Sequence, residues 1–142
     1  ARHIGLRTYR PPENYEAKFG RDIREITKYP YYQVESYLDY QGQKLNKRFD
    51  ALSYERLTRS MDTHDISRDR GSFKEVAKQL TIPIHVVGIL SDALYPISEQ
   101  KDLAQLLPNG QFTALDSPYG HDAFLIEFDQ LTHILSRFLA TT

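Results

Sequence analysis

Apolar residues in the first eighty positions recur at helical spacing. Val34, Leu38, Leu45 and Phe49 fall on one face of a predicted helix, and Leu57 with Met61 repeats the step of four in the next. Pro11, Pro12 and Pro30 punctuate this stretch where a helix could not continue. The pattern predicts several short helices joined by tight turns, without strand-like alternation and without an internal repeat. After position 80 the texture changes. Residues 84–90 (IHVVGIL) form a short, β-branched, mostly apolar run behind Pro83, as expected of a strand buried on both faces of a parallel sheet. Ser98 is placed to cap a helix running to about Leu107, which Pro108, Asn109 and Gly110 stop. Residues 111–115 read as a second strand, and Phe124, Phe128, Leu131, Leu135 and Phe138 advance by fours and threes along a last helix. Strand, helix, strand, helix argues for an α/β fold, with two units of a doubly wound sheet joined by right-handed crossovers.

Composition narrows the function classes. Ten Tyr and seven Phe among 142 residues, with 40% hydrophobic positions, supply enough apolar surface to offset chain entropy, so disorder is not expected. The absence of Cys excludes disulfides, Cys-ligated zinc and a Cys nucleophile. No run approaches the roughly 20 apolar residues of a membrane span, which predicts a soluble protein without a membrane partner. Residues 1–80 hold 16 basic and 12 acidic side chains, and residues 81–142 hold 2 and 7, so the two parts carry +4 and −5. The basic residues alternate with acids along apparent helices instead of forming a stripe, which argues against nucleic acid. The chain opens inside an apparent helix, ARHIGLRTYR, with no initiator Met, so we expect the 142 residues to be part of something longer.

Two loops occupy the carboxyl ends of the predicted strands, where open parallel sheets gather ligands and catalytic groups. Residues 91–96 (SDALYP) follow the first strand and residues 116–122 (DSPYGHD) follow the second, which puts Asp92 and His121 29 positions apart. An acid after one strand and a His after the next is the pair a serine nucleophile requires, in the chain order of α/β-hydrolases. The spacing leaves a plainer reading open: a loop Asp is often a helix cap or turn former, and Gly-His-Asp fits a tight turn. No G-x-S-x-G occurs in the chain, so the nucleophile is not in it. The cluster Asp62, Thr63, His64, Asp65 lacks a recognised ligand spacing, and no metal is expected there. His85, inside the first strand, is expected to be a satisfied structural His.

The segments YQGQKLNKRFDALSY, MDTHDISR, GILSDALYPISEQ and DSPYGHDAFLIEFDQL, in this order, resemble the C-terminal part of the homoserine O-acetyltransferase family, acyltransferases of methionine biosynthesis. The resemblance runs from about Ala1 to the end of the chain. It implies the C-terminal portion of an α/β-hydrolase fold with a helical lid insertion: residues 1–12 a core helix leading into the lid, 13–78 the lid with a homodimer contact, and 79–142 the end of the core. It implies Asp92 and His121 as two members of a catalytic triad whose serine lies upstream. It also implies substrate contacts at Arg2, which matches an arginine for the amino-acid carboxylate, at Tyr9, which lines the same pocket, and at Asp122, which receives the ammonium group. A planar guanidinium suits a carboxylate, while an acid opening the last helix would also suit the helix dipole. The implied partners are homoserine and acetyl-CoA, the latter a substrate, with no cofactor and no metal, in a cytoplasmic enzyme. An ester hydrolase or an acetyltransferase for another hydroxylated acceptor on the same fold, or a non-catalytic lid or interaction fragment, would share these features.

Overall fold

The structure is a computed structural model that describes residues 2–141. The chain divides into two compact units, the first holding residues up to Arg7 with Pro12–Asp65 and the second Thr8–Pro11 with the chain from Ile66 onward. Among the described residues no helix is long and apolar enough to cross a membrane.

The first unit is mainly helical. Helix α1 (Arg2–Tyr9) enters it, and α2 (Pro12–Phe19) begins on a proline, whose missing N–H is no loss in the first turn. Gly20, at φ +48°, ends α2 by returning its N–H to the Glu16 carbonyl at 2.9 Å, a left-handed position that glycine occupies without strain. The Tyr15 hydroxyl donates to the Leu6 carbonyl at 2.8 Å and so ties α2 to α1, beside a Leu6 that is 2% exposed. At the start of helix α3 (Gln33–Arg48) the N3 residue Glu35 accepts the Tyr32 N–H at 2.8 Å, the return half of a capping box. Asp50 caps α4 (Ala51–Asp62) by accepting the Ser53 N–H at 2.8 Å.

Between α2 and α3 the structure departs from expectation. Strands β1 (Ile23–Ile26) and β2 (Pro30–Tyr32) form an antiparallel hairpin with a bulge between Ile23 and Glu25. All four residues of β1 are exposed, and β2 has three residues, so neither is long enough to display a period of two. Pro30 opens a strand instead of merely stopping a helix, at a site where its missing N–H is tolerated. Phe49, expected on the face of α3, is its C-cap, and Leu57 and Met61 share a face of α4 that is exposed.

The second unit is α/β. Helix α5 (Phe73–Gln79) begins on a capping box between Ser72 and Glu75 and buries Val76 and Ala77. Strands β3 (Ile84–Ile89) and β4 (Gly110–Leu115) pair in parallel, with Ile84 opposite Gly110 and Ile89 opposite Leu115. Alternate residues serve opposite faces of this pair. On one face Val86 packs with Ala77, Ala104 and Leu107, supported by Ile84, Leu103, Leu106 and Phe112. On the other, Ile89 and Leu115 pack with Ala123, Tyr119, Leu131 and Ile134. Leu115 is fully buried, which is worth about 1.5–3 kcal/mol for a Leu side chain.

Helix α6 (Ile97–Leu106) joins the strands. Its N-cap is Pro96, not Ser98, which lies inside the first turn, and no side chain caps the helix. Proline's fixed φ already suits a helix start, and its carbonyl accepts the Glu99 N–H at 3.0 Å. The expected last helix is two elements: a 3-10 turn (Gly120–Leu125) that includes Phe124, then α7 (Phe128–Leu139). Leu131 and Ile134 of α7 face the core while Phe128, Leu135 and Leu139 are exposed, so the apolar spacing marks more surface than this unit covers. His85 is half satisfied: Nε2 lies 2.9 Å from Thr113 Oγ1, whereas the buried Nδ1 has no partner.

Candidate active site

The β3–β4 pairing brings the ends of two strands side by side. Leu90 donates its N–H to the Leu115 carbonyl at 3.0 Å, and beyond that rung each strand gives way to a loop. Asp92 sits in the first loop with its side chain 5% exposed. A buried carboxylate is tolerable only with full hydrogen bonding, and here it has that. Oδ1 accepts the N–H groups of Leu94 (2.8 Å) and Tyr95 (3.0 Å), while Oδ2 lies 2.8 Å from His121 Nδ1. An ionised Asp has only acceptors, so Nδ1 carries a proton and Nε2 is left with the lone pair. Such an imidazole can accept a proton, and the carboxylate behind it stabilises the cation that forms.

His121 stands on the 3-10 turn, anchored by Ala123, which is fully buried against Ile89 and Leu115. Its ring, a quarter exposed, is surrounded by three aromatic rings, with centroids at 5.2 Å for Tyr95, 5.4 Å for Phe124 and 5.8 Å for Tyr9. Beside the pair is a cavity of about 250 Å³ lined by Val87, Gly88, Ile89, Asp92, Tyr95, Gln100, His121 and Phe124.

Residues 9–11 cross this turn at close range. Gly120, at φ +59°, has the Tyr9 carbonyl oxygen, Pro11 Cδ and Arg10 Cα where a Cβ would stand. That approach puts Tyr9 beside His121 and lets Arg10 Nε donate to Asp122 Oδ2 at 2.8 Å, with both side chains about one-fifth exposed. The Arg10 guanidinium also lies 5.9 Å from the Tyr119 ring centre.

Four of the five residues singled out from the sequence, Tyr9, Asp92, His121 and Asp122, are thus gathered in the second unit. The fifth, Arg2, belongs to the first, where it lines a cavity of about 130 Å³ with Gln41, Lys44, Leu45 and Arg48. Asp122 does not open the last helix; it lies in the 3-10 turn, and the N-cap of α7 is Glu127. Arg10, Ser91 and Tyr95 are not singled out by the sequence as site residues, although Ser91 and Tyr95 lie in the same short loop as Asp92, and Phe124 reads only as a position on the last helix. Among the described residues no three His, Asp or Glu side chains gather as a metal ion would require.

An acid and a His on the loops after two adjacent parallel strands, in that chain order, define an α/β-hydrolase-type unit. Comparison with known proteins makes the assignment narrower. The chain is 47% identical over 139 residues to the homoserine O-acetyltransferase of Chlorobium chlorochromatii, covering 98% of this chain and 39% of that protein. It is 44% identical over 147 residues to the homoserine O-acetyltransferase of Moorella thermoacetica, again 98% and 39%. The crystal structure of a homoserine O-acetyltransferase from Staphylococcus aureus superposes with a TM-score of 0.74 at 29% identity, covering 98% of this chain and 39% of that one. No family model matches. Along nearly its whole length the chain is similar to homoserine O-acetyltransferases, and it spans about two fifths of the length of the relatives it matches.

Proposed function

We propose that this chain supplies the general base and its orienting acid for acetyl transfer from acetyl-CoA to the hydroxyl of homoserine, through a serine acyl-enzyme whose nucleophile lies in the remainder of the polypeptide. The observation that carries this reading is the 2.8 Å contact between His121 Nδ1 and the buried Asp92 carboxylate. With Nδ1 protonated, Nε2 takes the serine proton as the serine oxygen adds to the thioester carbonyl, and returns it to the departing CoA sulfur. The homoserine hydroxyl then enters; Nε2 takes its proton, the acetyl group passes to that oxygen, and the serine oxygen recovers the proton. The aromatic rings of Tyr9, Tyr95 and Phe124 limit water around the imidazole, which favours transfer over hydrolysis.

Asp122 is assigned the substrate ammonium: Arg10 takes Oδ2 and leaves Oδ1 for a second cation. The resemblance assigns Tyr9 to the lining of the substrate pocket and assigns the substrate carboxylate to Arg2, whose guanidinium offers two parallel donors. The same reading makes residues 13–78 a lid and homodimer contact and the enzyme a cytoplasmic one of methionine biosynthesis.

The test is His121→Ala in the full-length protein, followed by CoA release with and without homoserine. Loss of homoserine-dependent release by about 10³-fold or more is expected; near-normal turnover overturns the assignment. Acetate released equally fast with and without homoserine in the unaltered enzyme would identify an ester hydrolase instead.

A further inference from the structure

We propose that Ser91 is a positioning residue that sets the His121 turn in register with Asp92. This rests on the reading of Asp92 and His121 as acid and base. The Ser91 hydroxyl donates to the Ser117 carbonyl and accepts the Gly120 N–H at 3.0 Å. Those two groups flank the turn at residues 118 and 119. In an ordinary four-residue turn they would bond to each other; here one hydroxyl, donor and acceptor at once, stands between them. The Ser117 hydroxyl adds a bond inside the turn by accepting the Tyr119 N–H at 3.2 Å.

The location gives the hydroxyl its leverage. Beyond the Leu90–Leu115 rung the strand ladder has ended, and the two loops are tied by consecutive residues: Ser91 to Gly120, then Asp92 to His121. The first tie fixes the peptide that carries the second. The Ser91 hydroxyl bonds to backbone on either side of the 118–119 turn, and Ser91 is not among the residues lining the cavity beside the imidazole. Released at Gly120, the turn would be free to rotate about a residue already at φ +59°, and the imidazole would move relative to Asp92 Oδ2.

The experiment uses the full-length enzyme with Ser91→Ala, Ser91→Cys and Ser91→Thr. Two quantities are read: steady-state kinetics, and the downfield proton resonance of His121 Nδ1–H against Asp92, identified by its loss in His121→Ala. Ser91→Ala is expected to broaden or abolish that resonance and to lower kcat about 10- to 100-fold, the scale of a displacement near 1 Å, with KM for both substrates within about twofold. Ser91→Thr keeps the hydroxyl and should keep both the resonance and the rate. Ser91→Cys fills the space with a weak hydrogen-bonding group, so it should show the loss even where Ser91→Ala fails to fold. A retained resonance and rate in Ser91→Ala or Ser91→Cys, or a Ser91→Thr as impaired as Ser91→Ala, overturns the proposal. If His121→Ala remains active, the base assignment itself falls; if His121→Ala is dead while Ser91→Ala is normal, only the role of Ser91 does.

Discussion

Replacing Gly120 by Ala probes how tightly the turn under His121 is held. Two penalties add. At φ +59° an alanine sits in the left-handed region, which costs about 1–2 kcal/mol for a residue with a Cβ. The new Cβ would also stand 2.7 Å from the Tyr9 carbonyl oxygen, 2.8 Å from Pro11 Cδ and 3.3 Å from Arg10 Cα. Two of these are backbone atoms and the third belongs to a proline ring, so none can swing aside as a flexible side chain would. Segment 9–11 or the turn must shift, an overpacking cost of about 1–3 kcal/mol. The sum is about 2–5 kcal/mol. Gly20→Ala provides the contrast: its φ is +48°, but the nearest atom to its Cβ is the Glu16 oxygen at an ordinary 3.8 Å, which leaves only the conformational penalty. Hydrogen exchange of the backbone amides, read within the unit each glycine belongs to, measures both. For Gly120→Ala the β3–β4 amides should exchange roughly 30-fold to several thousand-fold faster, whereas Gly20→Ala should change its own unit by about tenfold. A Gly120→Ala no worse than Gly20→Ala would refute the close crossing of residues 9–11 over the turn.

Asp92→Asn should keep the Oδ1 bonds to Leu94 and Tyr95 but turn an NH₂ toward His121 Nδ1; the wrong tautomer is then favoured, and kcat of the full-length enzyme should fall about 10³- to 10⁴-fold with little change in unfolding midpoint. Leu115→Ala, at a fully buried site between Ile89 and Ala123, should cost about 2–5 kcal/mol in urea unfolding, and less than 1 kcal/mol would contradict the packing under the His turn. The Ser53 backbone N–H, and after it the Ser53 side chain, hold the Asp50 carboxyl below its ordinary 3.8, and the backbone N–H and hydroxyl of Ser72 hold Glu75 below its ordinary 4.5. Because these values are depressed in the folded state, the stabilisation is present above the ordinary values and is lost as pH falls through the lowered ones. Protection factors in the first turns of α4 and α5, corrected for the intrinsic pH dependence of exchange, should therefore fall in that acid window, and Asp50→Asn and Glu75→Gln should each remove that fall in its own helix.

Much of the second unit was legible because its signals are local. A β-branched run of six residues behind a proline marks β3, Gly110 opens β4 where a helix has stopped, and loops following both strands carry the titratable residues. The hairpin at Ile23–Tyr32 was not legible, since strands of four and three residues leave no period to read. The break between the 3-10 turn and α7 was hidden because Phe124 and Phe128 keep helical spacing across it. At the site, two acids compete for notice, Asp92 and Asp122, and the second is the direct neighbour of His121 in the chain. Which carboxylate meets the imidazole is nonetheless settled 29 residues away, and the other is claimed by Arg10 at a separation of 112.

The sequence by itself determined the α/β character of the second unit, the family resemblance and the loops in which an acid and a His would stand, because periodicity, β-branching, prolines and motif order are properties of neighbouring residues. The tertiary structure alone decided that Asp92 takes Nδ1, that Arg10 takes Asp122, that three aromatic rings enclose the imidazole, and that the Ser91 hydroxyl bridges the His turn. The physical reason is that these pairings follow from the parallel register of β3 on β4 and from the close crossing of residues 9–11 over Gly120, and neither is encoded in the spacing along one segment.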